Sequence, residues 1–228
     1  MSRVVSRHAV RDSFLGRNGL TLAFLALMLL SILGHALTGW RFDNQERRDH
    51  GQAAESLAEY VTGEDFLSTL FENWESEFLQ MGLFVLGTAF LRQRGASESR
   101  PLDPEQEPAP EPEPFAQRPW PVRRGGGWRR AYEHSLSGAL LLLFALSFVG
   151  HLYNSWRQHL GEQAMHGQAA TTTLWEHLWS APFWFESFQN WQSEFLAVIS
   201  LVVLSIFLRE KDSTESKDVE APHAKTGA

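Results

Sequence analysis

Two apolar runs contain no Asp, Glu, Lys or Arg, and they limit the fold more than anything else in the chain. They are Leu20 to Thr38 (LTLAFLALMLLSILGHALT) and Leu136 to Tyr153 (LSGALLLLFALSFVGHLY). A helix needs about 20 apolar residues to cross a bilayer, and both runs qualify. Two further runs, Phe78 to Leu91 and Phe195 to Leu208, are shorter. Extended back to Trp74 and Trp191, each reaches roughly 27 Å at 1.5 Å per residue. Each then takes a glutamate, Glu77 or Glu194, inside the span. Two other readings exist: core helices of a soluble all-α protein and, for the first run, a cleaved signal peptide behind a basic segment. The third run repeats the first down to Gly-His near its end, and a disposable targeting segment has no reason to be copied later in the chain. The pattern predicts an all-α integral membrane protein with four transmembrane helices.

The chain is written twice. Gly34-His35 matches Gly150-His151, Trp40-Arg41 matches Trp156-Arg157, and HGQAA at His50 matches HGQAA at His166, all at an offset of 116. One residue is inserted near Thr171 to Thr173. At an offset of 117, NWESEFL from Asn73 then matches NWQSEFL from Asn190, and Phe90-Leu91-Arg92 matches Phe207-Leu208-Arg209. Each copy holds two spans and returns the chain to its starting side, so the expected architecture is two parallel two-helix repeats related by an axis along the membrane normal. The expected organisation is a first two-span repeat over 1–92, a linker over 93–132, a second repeat over 133–209 and a tail over 210–228. The middle of the linker, PLDPEQEPAPEPEP, is acidic, proline-rich and poor in apolar residues, which predicts a disordered tether. The tail is expected to be disordered as well. The basic RPWPVRRGGGWRR flank, with Arg123, Arg124, Arg129 and Arg130, suits anionic headgroups or a solvated flank.

Lys and Arg choose the side of the membrane. Arg3, Arg7, Arg11 and Arg17 precede the first span. The linker and the tail are also rich in basic residues. The two intervening loops carry only Arg41, Arg47, Arg48 and Arg157. Both termini and the linker are therefore expected in the cytoplasm. Trp40, Trp74, Trp156 and Trp191, with Arg41 and Arg157, fall where interfacial anchors are expected. Between them, Thr62-Gly63-Glu64-Asp65 resembles a capped helix start, and Ser180-Ala181-Pro182 resembles another. The aromatic segment after each start reads either as an amphipathic helix lying on the outer leaflet or as the projecting start of one long helix. His50 and His166, each beside Gly, read as turns.

Every expected span carries a polar stripe, since residues three, four or eleven apart share a helix face. The first has Ser31, His35 and Thr38, and the third has Ser147, His151 and Asn154. The second has Glu77, Gln80 and Thr88. The fourth has Glu194 and Ser205, with Ala197 in place of the glutamine. His35 lies roughly 7.5 Å inside Trp40 and Glu77 roughly 4.5 Å inside Trp74. An ionised carboxylate facing lipid costs a few kcal/mol, so the glutamates should turn inward and pair. The expected site is a cluster of His35, His151, Glu77 and Glu194. Three uses are open to it. Hydrogen bonds could clamp the helices; a titrating imidazole could mark a proton or cation path; or two His and two carboxylates could hold zinc, iron or manganese.

Composition removes other classes. The 228 residues include no cysteine, which excludes disulfides, thiol nucleophiles and cysteine-ligated zinc. A net charge of -7 argues against nucleic-acid binding. No phosphate-binding glycine loop or Ser-His-Asp order is visible, and no cofactor is expected. The pattern NGL…GH…GWR, then HGQ, then FENWESEFLQ…FLRQ, resembles an uncharacterised family of small bacterial multi-pass membrane proteins, a domain of unknown function. The likeness runs from Arg17 to Arg100 and from His134 to Lys217. Gln189 and Gln192 depart from it, standing where the first copy has Glu72 and Glu75. That resemblance implies the architecture and no activity. The leading functional expectation is a non-enzymatic structural or sensing membrane protein. A small proton- or cation-coupled transporter or channel comes next, as a homodimer because four helices enclose little space, and a metal-dependent membrane enzyme third. The expected partners are the bilayer and a second copy of the chain.

Overall fold

The computed structural model describes residues 13–103 and 113–227, which form helices and turns with no strand among them. Arg3, Arg7, Arg11 and the linker stretch 104–112 lie outside the described residues. The helices are α1 (Phe14–Asp49), α2 (Leu57–Thr62), α3 (Glu64–Phe90), α4 (Trp120–Arg124), α5 (Gly126–Glu133), α6 (Ser135–Met165), α7 (Leu174–Leu178) and α8 (Ala181–Phe207). The chain divides into two compact units, with the boundary between Leu67 and Ser68.

In the first unit, Ser13 caps α1 by accepting from the Gly16 N–H at 3.0 Å. The helix ends at His50, and Gly51 turns the chain at φ 71°, a left-handed conformation that glycine adopts without steric cost. The loop is then pinned back onto α1. Trp40 Nε1 donates to Glu55 O at 2.8 Å, and Asn44 closes a pair of bonds with the Glu55 backbone at 2.8 and 3.0 Å. Ser56 and Glu59 form a capping box that starts α2. Tyr60 lies buried against Gly39, where there is no room for a Cβ. Phe66 is buried, its ring 4.8 Å from that of His35.

In the second unit the same contacts recur at the matching positions. Gly167 turns the chain at φ 67°. Trp156 Nε1 donates to Thr172 O at 2.7 Å, and Thr173 and Glu176 form a capping box that starts α7. His177, the counterpart of Tyr60, reaches Ser155, the counterpart of Gly39, at 2.9 Å. Phe183 is fully buried, its ring 4.9 Å from His151. α3 and α6 approach so closely that Gly150 leaves only enough room for the Phe71 ring.

Of the two readings of the aromatic stretches, the structure has the start of one long helix: α3 and α8 each run unbroken for 27 residues, and the aromatic segment is the first half of each. One expectation needs correction. Thr62 does not start a helix; its hydroxyl donates to Ala58 O and Glu59 O and it ends α2. Ser180 does cap α8, accepting from Phe183 N.

Three helices, α1, α6 and α8, are long and apolar enough to cross a membrane. Their apolar side chains face outward, as Leu20 at 74% and Leu30 at 64% exposure show, which a soluble core helix would not tolerate. In α3 the charge-free part begins only after Glu77 and covers roughly 20 Å up to Phe90.

The middle of the linker, where disorder is expected, falls mostly outside the described residues; the described linker flank forms short helices and the described tail forms turns and bends. Trp120 and Trp128 pack edge to face at 5.2 Å, with the Arg124 guanidinium over both rings, and this cage organises α4 and α5. The tail folds back because Lys217 is buried. Its ammonium donates to Gly95 O at 2.5 Å, to His223 O and Lys225 O at 3.0 Å, and to Ile206 O at 3.4 Å.

The two copies differ at one glycine in a way that can be measured. A Cβ at Gly150 would sit 2.7 Å from the Phe71 ring, whereas one at Gly34 meets nothing within 4 Å. Gly150→Ala is expected to cost about 1–3 kcal/mol by overpacking. Gly34→Ala should be neutral or stabilising by up to about 1 kcal/mol. Thermal unfolding of both variants in detergent checks the contrast.

Candidate functional site

The best-defined polar centre of the second unit is His151, whose side chain has no solvent exposure. It sits on the inward face of α6 under Phe183. Its Nδ1 lies 2.8 Å from Oε2 of Glu75 on α3, and its Nε2 lies 3.3 Å from Oε2 of Glu186 on α8. One imidazole therefore links three helices. Glu75 is equally buried, and its other oxygen accepts from Trp191 Nε1 at 3.0 Å. One turn earlier, Glu72 accepts from the Asn190 amide. Asn190 and Trp191 of the second NWxSEF phrase thus grip the acids of the first. The grip is one-sided: Asn73 turns its amide back to Thr69 O at 2.7 Å, and Trp74 packs edge-on against Phe71.

An imidazole with a carboxylate oxygen at each nitrogen is fully bonded only as the doubly protonated cation, which donates twice. Buried charge is tolerated when it is paired and hydrogen-bonded on all sides. Here the carboxylate, the imidazolium and the indole N–H satisfy one another. Glu186 is 41% exposed and connects the centre to solvent.

The expected cluster is only partly related to this one. His151 is in the centre, but its acids are Glu75 and Glu186. Glu77 is exposed and lies beside half-buried Glu194, away from the imidazole. The reason is helical phase. Glu72 and Glu75 share a face, while Glu77, two residues further on, points about 200° away around α3. His35 packs on Phe66 in the first unit. The counterparts of Glu186 and Glu75 in the other copy are Thr69 and Gln192. A signal was present in the sequence: Glu72, Glu75 and Glu186 are among the acids that occur in only one copy, and all three lie at the centre.

The supporting stripe is a mixed set. Ser147 and Asn154 are buried on the His151 face of α6, and Asn154 donates to Gly150 O at 2.7 Å. Ser31 and Thr38 are exposed, and Thr38 donates to Gly34 O at 2.7 Å. Thr88 donates to Val85 O at 3.1 Å, Gln80 is half-buried, and buried Ser205 accepts from Ser97 N at 3.4 Å. Arg41 and Arg157 are exposed. Above the centre, the rings of His159 and His177 lie 5.5 Å apart. Burial first, and the neighbouring His159 second, hold His177 below its ordinary value. Among the described residues no group of three or more His, Asp or Glu is arranged to hold a metal ion.

A family model for a domain of unknown function, DUF6766, matches residues 11–228. The chain belongs to the DUF6766 family. No curated protein and no solved structure matches it. In this DUF6766 chain a second pair of matched acids, Glu98 and Glu215, meets beyond the ends of α3 and α8. Each sits in the same kind of turn: Gln93 N donates to Ser99 Oγ and Glu210 N to Ser216 Oγ, both at 2.9 Å. Burial, then the hydrogen bond to Glu215, pushes the Glu98 carboxyl up to about 7.

Two measurements test these assignments. Glu75→Ala strands a buried imidazole and an indole N–H and should cost about 3–5 kcal/mol, while Glu77→Ala should cost under about 1 kcal/mol; detergent-phase unfolding distinguishes them. Between the ordinary 4.5 of an unfolded Glu and about 7, the folded chain holds an extra proton on Glu98. That contribution to stability is complete below the lower value and is lost as pH rises through the upper one. Melting temperature against pH should show this fall in the wild type, and Glu98→Gln should reduce it, the remainder coming from Glu55, which burial also raises to about 7.

Proposed function

We propose that this chain is a non-enzymatic multi-pass membrane protein of structural or sensing kind, in which His151 is a proton-dependent clasp between helices. The observation that carries the reading is the fully buried imidazole bonded at both nitrogens to carboxylates on two other helices. Such a clasp is complete with one proton on each nitrogen. Losing a proton through half-exposed Glu186 leaves a carboxylate without its donor and weakens the tie between α3, α6 and α8. A change in proton supply thereby becomes a change in helix packing, which is what a sensor needs.

The architecture proposed with it has four spans, with α3 joining α1, α6 and α8, arranged as two parallel two-helix repeats. The loop contacts that recur around Trp40 and Trp156 support the duplication. The bias of Lys and Arg supports cytoplasmic termini and an outward-facing clasp in a bacterial inner membrane. On this reading the bilayer is the main partner.

Purified full-length protein, in detergent and in proteoliposomes, tests the proposal. The expected result is that His151→Gln lowers thermal stability by an amount equivalent to about 2–4 kcal/mol and flattens its pH dependence, while wild-type liposomes pass protons no faster than empty ones. Proton flux above the empty-liposome rate that disappears in His151→Gln would overturn the proposal in favour of a transporter.

A further inference from the structure

Away from the clasp, α3 and α8 enclose a recess of about 380 Å³ toward their C-terminal ends. That volume is within the range of small-molecule sites. Leu83, Phe84, Phe195 and Val202 make its walls apolar; Arg92, Gln93, Glu98 and Ser99 stand at one end, and Gln80 lies further back along α3. Thr88 also lines it, with its hydroxyl bonded to Val85 O. Gly87 lines the recess as well, and a Cβ there would meet nothing within 4 Å. The matching residue in the second copy is Leu204, so the position carries a side chain in one copy and none in the other. At the polar end, Arg92 spends Nη1 on the carbonyls of Ala89 and Leu91 at 3.4 and 3.1 Å. Among the described residues its Nε and Nη2 make no hydrogen bond, and the side chain is exposed. An apolar slot beside a membrane-length helix, with Glu98 engaged by Glu215 and Arg92 exposed at its polar end, matches a chain of methylenes ending in an anion.

We propose that this recess binds one acyl chain of an anionic phospholipid, with the phosphate at Arg92. Each methylene seated against the apolar walls gains van der Waals contact, and the guanidinium selects the charged headgroup. The site is independent of the His151 clasp.

The test uses full-length protein stripped of lipid in a nonionic detergent. Phosphatidylglycerol, phosphatidylcholine of the same acyl composition and free oleate are added in separate arms, and bound lipid is counted by native mass spectrometry. The wild type should hold one phosphatidylglycerol per chain. Gly87→Leu, which fills the slot with its twin's side chain, should weaken that binding by about tenfold without lowering the melting temperature. Arg92→Gln, at an exposed position, should weaken phosphatidylglycerol by about fivefold and leave phosphatidylcholine unchanged. Unchanged phosphatidylglycerol binding in Gly87→Leu would overturn the site. Equal wild-type binding of phosphatidylcholine would overturn the role of Arg92. Oleate binding as tightly as phosphatidylglycerol would overturn the phospholipid as its source. No lipid bound to the wild type would overturn all three.

Discussion

A carboxylate among apolar helices must find a donor for each of its oxygens, and Glu75 finds both. The imidazole of His151 takes one and the indole of Trp191 the other. The second unit is arranged around that requirement. Glu75 has to come from the inner face of α3, which puts Phe71, one turn earlier, against α6. That contact is available only because position 150 is glycine. His151, the next residue, then lies at the right height to take the carboxylate. Phe183 closes the pocket from the first turn of α8, whose start is held by the Ser180 cap. Packing and polar satisfaction are one constraint here, because moving α3 by a turn would break the ring contact and strand the charge together.

Much of the fold was legible because its signals are local and strong. The two charge-free runs predict membrane-length helices, and α1 and α6 are such helices. The HGQAA phrase predicts a turn, and the glycine within it takes positive φ in both copies. The Gly-His pairs were also legible as important: Gly150 admits a ring and His151 makes the clasp. What could not be read was which helix face the acids occupy relative to one another. Glu75 and Glu77 are both carboxylates two residues apart, and only the rotation of α3 against α6 decides which is buried. Capping by Thr62 failed for a different reason. A better box, Ser56 with Glu59, sits one helix earlier and leaves Thr62 as a helix end.

The described tail is held by polar contacts rather than by an apolar core. An ammonium needs several acceptors once it leaves water, and the carbonyls of Gly95, Ile206, His223 and Lys225 converge on Lys217. Thr226 Oγ1 accepts from Gly95 N, Ser97 donates to Glu215 O and Arg209 donates to Ala221 O. Hydropathy averages do not detect contacts of this kind.

Loop contacts recur at matching positions of the two sequence copies, while the acids of the clasp do not. Symmetric acids meet as like charges: Glu77 lies beside Glu194, and Glu98 beside Glu215. Such pairs repel unless they share a proton. The clasp avoids this by placing its acids unequally. Glu72 and Glu75 occur in the first copy where the second has Gln189 and Gln192, and Glu186 occurs in the second where the first has Thr69. These choices bring two carboxylates to one imidazole. Gly87, whose counterpart in the other copy is Leu204, fits the same pattern. The positions that agree between the two sequence copies include those that make the recurring contacts. The positions that disagree, above all where a charge or a whole side chain is present in one copy and absent in the other, are where a specific site can be built.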